Sequence, residues 1–431
     1  MPDTKGKKLI IIIIAAVVLS AGAFFLLRSG KETPKVQPTP SPTGIQAQCA
    51  DLVEQGNALM KERKPFEALK FFNEALKLDE NFSPALSGRT NAYIDLGRFD
   101  EAMSDAQKAI KLSPEVPLNY VNRGNAWYYT GNPEKALEDY RKTISMKPEY
   151  PPDESKAHYG IGRIAEERGD METAFKEYDQ AVHFHNVARN YMSRGQAHRK
   201  LGRNEEGRSD YMEALKQKPD KASLLTAIGE TWYSDDQPDK AIEFYNKAIE
   251  SDPDFTRDPE FRDACGNPPS GFTFPYTRRA VIYIEKGRYK EAVEDISKSI
   301  ELKNDHPDDY YYRARAYWYL GESDKAAKDA KKYLELEKNH AGQEKQSEKI
   351  EKQGAALMIL GREKQALEDF DKAQKMNPFE FTSYNMRGII LHKQGRDDLA
   401  RKDFEKAANS GIISEQEKAR EYLNKIVNKT K

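Results

Sequence analysis

Two stretches of this 431-residue chain, NRGNAWYYTGNPEKALEDYRKTI at residues 122–144 and YRARAYWYLGESDKAAKDAKKYL at residues 312–334, share one pattern of small and aromatic residues. Self-similarity at a fixed period is the signature of a repeat architecture, and the period here is about 34 residues. Alignment gives ten units, interrupted by insertions at residues 151–154, 256–272 and 341–346. The units begin at residues 49, 83, 117, 155, 188, 222, 273, 307, 347 and 381. The array therefore occupies residues 49–414, and little sequence remains for another folded domain.

Small residues recur at fixed positions, counted here from the first residue of each unit. Position 8 is glycine in seven units, and position 20 is alanine in nine. Small side chains at both positions predict that two antiparallel helices of each unit cross closely there, because a larger side chain would separate them. Position 15 is glycine in eight units, which predicts a left-handed residue that ends the first helix.

This pattern resembles the tetratricopeptide repeat over residues 49–414. The resemblance implies an all-α fold, a right-handed α-solenoid of about ten helix pairs. It also implies that partner proteins or peptides bind a concave face lined by the first helix of each unit. Ser414 and Glu417 form a capping box that predicts a C-terminal capping helix over residues 415–431. Such a helix would cover the last apolar surface of the array.

The N-terminal segment predicts a membrane anchor. A basic leader, residues 1–8, precedes the apolar run Leu9–Leu27, which as a helix would span the roughly 30 Å core of a bilayer. A Pro-rich linker follows at residues 28–48. A cleaved signal peptide is the alternative, but the apolar run is longer than a signal core requires. Lysines and arginines flank both ends, and the short leader favours an N-terminus inside and an extracytoplasmic body, as in a single-pass protein of a bacterial inner or plasma membrane.

Composition and local motifs predict no catalytic chemistry. The 69 Lys and Arg residues nearly balance the 70 Asp and Glu residues, so the chain lacks the cationic excess that nucleic acid binding needs. Gly160 and Gly162 fit a dinucleotide-binding spacing but fall inside a predicted helix, the wrong context for that motif. His183 and His185 would diverge on a helix rather than share a metal. We therefore expect no enzyme activity, no metal, no cofactor, no nucleic acid and no small-molecule substrate.

Part of the high charge has a structural interpretation. Six units carry arginine at position 7, and all six carry aspartate at position 23. Only one of the four remaining units has aspartate there, so the co-occurrence predicts a fork-shaped ion pair between the two helices of a unit. The predicted pairs are Arg89–Asp105, Arg123–Asp139, Arg194–Asp210, Arg279–Asp295, Arg313–Asp329 and Arg387–Asp403.

Candidate partner-binding residues lie on the first helices. Asparagine at position 9 of the first three units could hydrogen-bond an extended peptide, and aromatic and arginine side chains further along are typical of interfaces. The candidates are Asn57, Asn91, Asn122, Asn125, Tyr128, Tyr159, Arg163, Tyr233, Tyr311, Arg315 and Trp318. The carboxylate clamp of chaperone-binding members is only partly matched, by Asn91, Asn122 and Lys156. Ser87 and Gly160 replace two of its cations, so no chaperone clamp is predicted.

Together these features predict a membrane-anchored protein interaction scaffold for assembly of a cell-envelope or membrane complex. One alternative is a cytosol-facing receptor for protein targeting, import or chaperone docking, which has the same anchor-then-repeats layout. Another is the non-catalytic targeting part of a glycosyltransferase system.

Overall fold

All regular structure in the described part of the chain is helical. In this computed structural model the described residues are 44–218, 221–253, 275–302, 306–338, 345–379, 381–410 and 412–429. The helices are α1 Gly44–Lys61, α2 Pro65–Leu78, α3 Ser83–Asp95, α4 Phe99–Leu112, α5 Pro117–Tyr129, α6 Pro133–Ser145, α7 Pro151–Glu167, α8 Met171–Phe184, α9 Ala188–Lys200, α10 Asn204–Gln217, α11 Ala222–Ser234, α12 Pro238–Ser251, α13 Pro275–Glu285, α14 Tyr289–Glu301, α15 Pro307–Tyr319, α16 Ser323–Glu337, α17 Gln346–Ile359, α18 Glu363–Met376, α19 Phe381–Lys393, α20 Asp397–Ala407 and α21 Ile413–Lys429.

The chain divides into two compact units, Met1–Ala92 and Tyr93–Lys431. The described part of the first contains α1, α2 and most of α3. Its core includes Phe72, which is fully buried. The second contains the remaining helices and most of the apolar core, distributed along the chain as successive clusters rather than one centre. This distribution is expected of a repeat, in which each unit buries its apolar surface against its neighbours.

Within a unit the two helices run antiparallel. Ser155 at position 1 donates to the carbonyl of Ala181 at position 27, at 2.8 Å. A Cβ atom on Gly195 at position 8 would lie 3.1 Å from the carbonyl of Gly207 at position 20. Early residues of one helix therefore meet late residues of the other. First helices also pack on the first helix of the next unit, as in α5 with α7 and α15 with α17. In the second compact unit we call the surface formed by α5, α7, α9, α11, α13, α15, α17 and α19 the first-helix face.

The glycines at position 8 lie against aromatic rings. A Cβ on Gly124 would be 2.7 Å from the Tyr140 ring, and one on Gly162 would be 2.7 Å from the Tyr178 ring. Gly160 of the next unit lies against the same Tyr140 ring, and a Cβ built on Gly160 would be 2.5 Å from the ring. Gly160 and Gly162 therefore serve helix packing inside α7, in agreement with the rejection of a dinucleotide motif.

Position 15 is left-handed as predicted. All eight glycines there have φ between 71° and 78°. In the two units without glycine the same position is occupied by Arg63 and Asp236, with φ of 58° and 55°. The backbone conformation is thus imposed by the repeat even where the side chain disfavours it.

Three helix boundaries differ from the predicted ones. The first helix begins at Gly44, so the end of the predicted linker is helical; its last proline is Pro42, and IQAQ then favours a helix. Residues 151–154 extend α7 rather than a loop, because proline at the first two helical positions removes only donors that have no helical partner. The last helix begins at Ile413, which places Ser414 inside it. The Ser414 hydroxyl is buried without a hydrogen-bond partner among the described residues, so the predicted capping box is wrong.

Several predicted features fall outside the described residues. These are the basic leader, the apolar run Leu9–Leu27, most of the Pro-rich linker and the insertion at residues 256–272. Among the helices that the structure describes, none combines the length and the apolar character needed to cross a bilayer.

Candidate partner-binding face

The repeated arginines and aspartates form the predicted pairs. In five units of the second compact unit, Arg Nε and Nη2 each donate to one oxygen of the position-23 aspartate, at 2.6–3.0 Å. The five aspartates are buried, which explains why a planar fork is used rather than a lysine. These charges stabilise the array and are not offered to a partner. Arg89 and Asp105 belong to different compact units, and their pairing stays a prediction.

The contact made by the third nitrogen of these arginines, Nη1, was not predicted from the sequence. Nη1 of Arg194 donates to Asp179, that of Arg279 to Asn246, and that of Arg387 to Asp371, at 2.5–2.6 Å. Each acceptor is at position 25 of the preceding unit. One guanidinium therefore joins two helices of its own unit and a helix of the unit before it.

Three predicted site residues, Tyr128, Tyr159 and Arg163, meet on α5 and α7. The Arg163 guanidinium carbon lies 4.2 Å from the centre of the Tyr128 ring and 5.9 Å from that of Tyr159. Arg163 also donates to the Tyr129 hydroxyl at 3.3 Å. Burial, together with a hydrogen bond to Glu167, raises the pKa of the Tyr128 hydroxyl to about 12. The group is an arginine held among neutral tyrosine rings on the first-helix face.

A second group of predicted residues lines a cavity of about 340 Å³. Tyr233 on α11 and Tyr311 and Arg315 on α15 all border it. Its wall comes from the first helices of five successive units, which are α11, α13, α15, α17 and α19. Helix α12 and the segment before α21 also contribute to the wall. The added charged lining residues are Arg278, Glu285, Asp308, Glu348, Glu351 and Lys352. The cavity thus combines aromatic surface with both signs of charge.

Charges in the cavity wall are partly neutralised by one another. Lys352 is buried and pairs with Asp308 at 2.9 Å and with Glu348 at 3.1 Å. Arg278 pairs with Glu230 at 3.1 Å while 44% of its side chain stays exposed. Burial raises the pKa of Glu285, against the opposing effects of a hydrogen bond from Tyr233 and the charge of Arg315. A carboxyl with a raised pKa in a concave site is a common property of binding sites.

Some lining residues could have been found from the sequence. Arg278, Tyr312 and Lys352 occupy position 6 of three successive units, a position from which only Asn122 was predicted. Of the remaining predicted residues, Trp318 packs edge-on against Tyr319, with ring centres 5.0 Å apart, and is half-buried.

The predicted asparagines are divided between the two compact units. Asn122 is only 2% exposed, and its role in binding stays a prediction. Asn125 accepts a hydrogen bond from the Tyr140 hydroxyl at 2.8 Å, which gives it a structural role. Asn57 is exposed and Asn91 is half-buried, both in the first compact unit. Their role in binding stays a prediction.

The C-terminal helix also reaches the first-helix face. Ile412 borders the cavity, and α21 packs on α13 and α19 as well as on α20. Glu415 is fully buried and forms an ion pair with Arg315. Within the described residues there is no cluster of three or more His, Cys, Asp or Glu side chains arranged to hold a metal ion.

Comparison with known proteins agrees with this architecture. A tetratricopeptide repeat profile matches residues 121–189, 192–254 and 352–412, and a second profile of the same repeat matches residues 91–116 and 275–306. The chain is 24% identical over 188 residues to Tetratricopeptide repeat protein 6 of Homo sapiens, covering 44% of this chain and 36% of that protein. It is 21% identical over 287 residues to the Hsp70-Hsp90 organizing protein of Triticum aestivum, covering 67% and 41%.

Among solved structures, the APC/C hetero-tetramer Cut9–Hcn1 aligns with a TM-score of 0.46 at 12% identity, covering 89% of this chain and 84% of that one. The chain spans less than half the length of the curated relatives it matches. The two repeat profiles together match more than half of the chain, in register with its helix pairs. The chain belongs to the tetratricopeptide repeat proteins.

Proposed function

We propose that this protein is an interaction scaffold that holds a segment of a partner protein against the first-helix face of its second compact unit. The observation that carries the proposal is the cavity of about 340 Å³, whose wall is built by the first helices of five successive units. A cavity of this size accepts one or two side chains of a bound segment. The proposal assigns no reaction to the protein.

The chemistry of the face supports recognition of a protein. Tyrosine and arginine dominate the energetics of protein interfaces, and both line the cavity and the Arg163 group. Arg278 keeps much of its side chain exposed although it already has one carboxylate partner. Mixed charge in the wall favours a partner segment that is itself polar, with an aromatic or aliphatic side chain to fill the cavity. The Triticum aestivum relative is named for organizing two other proteins, which is consistent with this role.

The proposal is tested by changing the cavity wall and measuring partner capture. We expect Arg278→Glu and Tyr312→Ala each to reduce at least tenfold the amount of protein that co-purifies with the tagged chain from its native cells. Truncating a hot-spot residue costs about 2 kcal/mol or more, which is roughly 30-fold in affinity. Arg98→Glu is the matched control, because Arg98 lies exposed beside Glu101 and away from the cavity. Undiminished capture by correctly folded cavity variants, or an equal loss with Arg98→Glu, would contradict the proposal.

We further propose that the chain is anchored in a membrane by Leu9–Leu27 and assembles a cell-envelope or membrane complex with its body extracytoplasmic. Support comes from the length of the apolar run and the basic leader. Two other roles compete with this proposal: a cytosol-facing receptor and the non-catalytic targeting part of a glycosyltransferase system. The receptor would place the body on the opposite side of the membrane, so the topology distinguishes it from the role proposed here.

Topology is measured with a single introduced cysteine. Tyr150 is 63% exposed in the turn before α7, and native Cys49 is buried, so Tyr150→Cys with Cys265→Ser provides one accessible thiol. We expect a membrane-impermeant maleimide to label it in intact cells. Labelling only after lysis would contradict the outward orientation and favour the cytosol-facing receptor.

A further inference from the structure

Glu415, the third residue of α21, is held like a bound ligand on the first-helix face. Its side chain is fully buried. Arg315 Nη2 donates to Oε1, and Asn385 Nδ2 donates to Oε2 at 2.5 Å and to the Glu415 carbonyl at 2.7 Å. The hydroxyls of Tyr319 and Thr382 lie 3.4 Å from Oε1. Both oxygens of the carboxylate therefore face donors from α15 and α19.

The residues around Glu415 lie on first helices of the array. Arg315 is at position 9 of its unit, and Thr382 and Asn385 are at positions 2 and 5 of theirs, all of them on first helices. Arg315 and Thr382 also border the cavity. A carboxylate removed from water needs a paired cation and hydrogen bonds, and this site supplies both. It is a carboxylate site built on the proposed partner face.

Glu415 does not satisfy this site completely. Arg315 Nε and Asn385 Oδ1 are buried without a hydrogen-bond partner among the described residues. By contrast, the five repeat arginines engage carboxylates through Nε and Nη2 together, as Arg313 does with Asp329 at 2.6 and 3.0 Å. A carboxylate that approached Arg315 in the plane of its guanidinium would gain the bond that Glu415 leaves unmade.

Capping of the array does not require this contact. The rest of α21 covers the last unit through Ala419 and Ile426, both buried, and through Tyr422, whose ring stacks on Phe404 at 5.1 Å. Glu415 contacts α19 of that unit and also reaches α15, two units before it. A buried ion pair is also an inefficient source of stability compared with apolar packing.

We propose that Arg315, Thr382 and Asn385 bind a carboxylate side chain of a partner segment, and that Glu415 is a built-in competitor which such a segment displaces. This inference rests on the proposed function and specifies its ligand: an acidic residue of an extended protein segment. Displacement requires only that the incoming carboxylate, with its neighbouring contacts, binds the open form better than the closed form.

The test uses a defined probe, a fluorescent peptide with the sequence of residues 410–418, SGIISEQEK. The control probe has glutamine in place of Glu415 and keeps the other acid, Glu417. Each is titrated against the full-length wild type, Glu415→Ala, and Glu415→Ala combined with Arg315→Met. We expect Glu415→Ala to bind the native peptide at least tenfold more tightly than either other protein does, and at least tenfold more tightly than it binds the control peptide.

Glu415→Gln is a second variant, which removes the charge of the side chain while keeping its volume. Circular dichroism verifies that each variant is folded. A folded Glu415→Ala or Glu415→Gln protein that binds neither peptide, or binds both equally, overturns the proposal. So does wild-type protein that binds the native peptide as tightly as the variants. Because the probe is defined, this result is independent of the partner-capture experiment: capture that depends on Arg278 together with a failed peptide titration would overturn the Glu415 site alone.

Discussion

At position 8 of the repeat, glycine occurs in those units whose position 24 is aromatic. The seven rings are Phe72, Tyr140, Tyr178, Tyr211, Tyr245, Phe370 and Phe404, and the three units without the glycine have Ala106, Ile296 and Ala330 at position 24. A Cβ at position 8 would lie 2.5–2.9 Å from the ring in each of the seven. The co-occurrence of glycine at position 8 with an aromatic residue at position 24 could therefore have identified the contact partner of each glycine. The spacing of small residues alone predicted only a close helix crossing.

Gly124→Ala is expected to destabilise the protein by about 2 kcal/mol, because the overpacking cost exceeds the gain in helix propensity. Gly131→Ala has open space around it but φ of 75°, so its expected cost of about 1 kcal/mol comes from the backbone alone. Urea unfolding of both variants, repeated with Tyr140→Leu, separates the two causes. Without the ring Gly124→Ala should cost little, whereas Gly131→Ala should cost the same; equal costs of Gly124→Ala in both backgrounds would refute the ring contact.

Asp309 predicts a pH dependence of stability. It is fully buried on α15 and accepts hydrogen bonds from Thr277 at 2.6 Å and Ser299 at 2.9 Å. Burial raises its pKa to about 7, with the Asp308 charge adding to the shift and Arg313 opposing it. The folded protein thus holds this proton more tightly than the unfolded chain, so its contribution to stability falls as pH rises from about 4 to about 7.

Asp309→Asn removes that titration while keeping the size of the side chain. We expect it to raise the melting temperature relative to wild type at pH 8.5, and to raise it by progressively less towards pH 4, where the unfolded chain also begins to hold the proton. Scanning calorimetry across this range measures the difference. A variant that is less stable than wild type at pH 8.5 would show that the charged form of Asp309 is the stabilising one.

At the scale of helices, the arginine at position 7 joins elements within and between units. Its co-occurrence with aspartate at position 23 was sufficient to predict the pairing inside a unit, because both residues repeat together. The contact of Nη1 with position 25 of the preceding unit was not predictable in the same way. That position varies among Asp179, Asn246, Ser297 and Asp371, which share an acceptor oxygen rather than a residue type.

Arg313→Met is expected to lower the free energy of unfolding by about 3 kcal/mol, because it leaves the buried Asp329 carboxylate without its cation. Arg313→Lys keeps the charge but cannot form the fork, so it should recover only part of the loss. Lys216→Met, which removes an exposed pair with Glu213, is the control and should cost less than about 1 kcal/mol. Similar losses for Arg313→Met and Lys216→Met in urea unfolding would contradict a structural role for the fork.

Helix starts were predictable where the repeat is regular. Helices begin at Ser83, Pro117, Ala188, Ala222, Pro307 and Phe381, which are the first residues of six predicted units. The prediction failed where local signals departed from the repeat. Pro151 and Pro152 belong to a predicted insertion although they are compatible with a first helical turn. Ser414 was predicted as a cap but lies inside α21.

At the scale of the second compact unit, the contacts that define the candidate site are long-range. Arg315 and Glu415 are separated by 100 residues, and no periodic pattern connects them. The cavity likewise depends on how five first helices lie beside one another, which is why Arg278, Tyr312 and Lys352 were missed. Tyr233, Tyr311 and Arg315 were chosen from their positions on the first helices and do line the cavity, whereas their surroundings could not be predicted and their role in binding stays a prediction.

The most direct test of the central claim, that partners bind the first-helix face, is site-specific photo-crosslinking in the native cells. Benzoylphenylalanine replaces Tyr233 or Tyr312 in the cavity wall, and Tyr150 or Phe379, which are 63% and 76% exposed in turns and do not line the cavity. The prediction is that the two cavity positions give the same crosslinked partner protein and that the two turn positions do not. Crosslinking of a partner from the turns but not from the cavity wall would contradict the account.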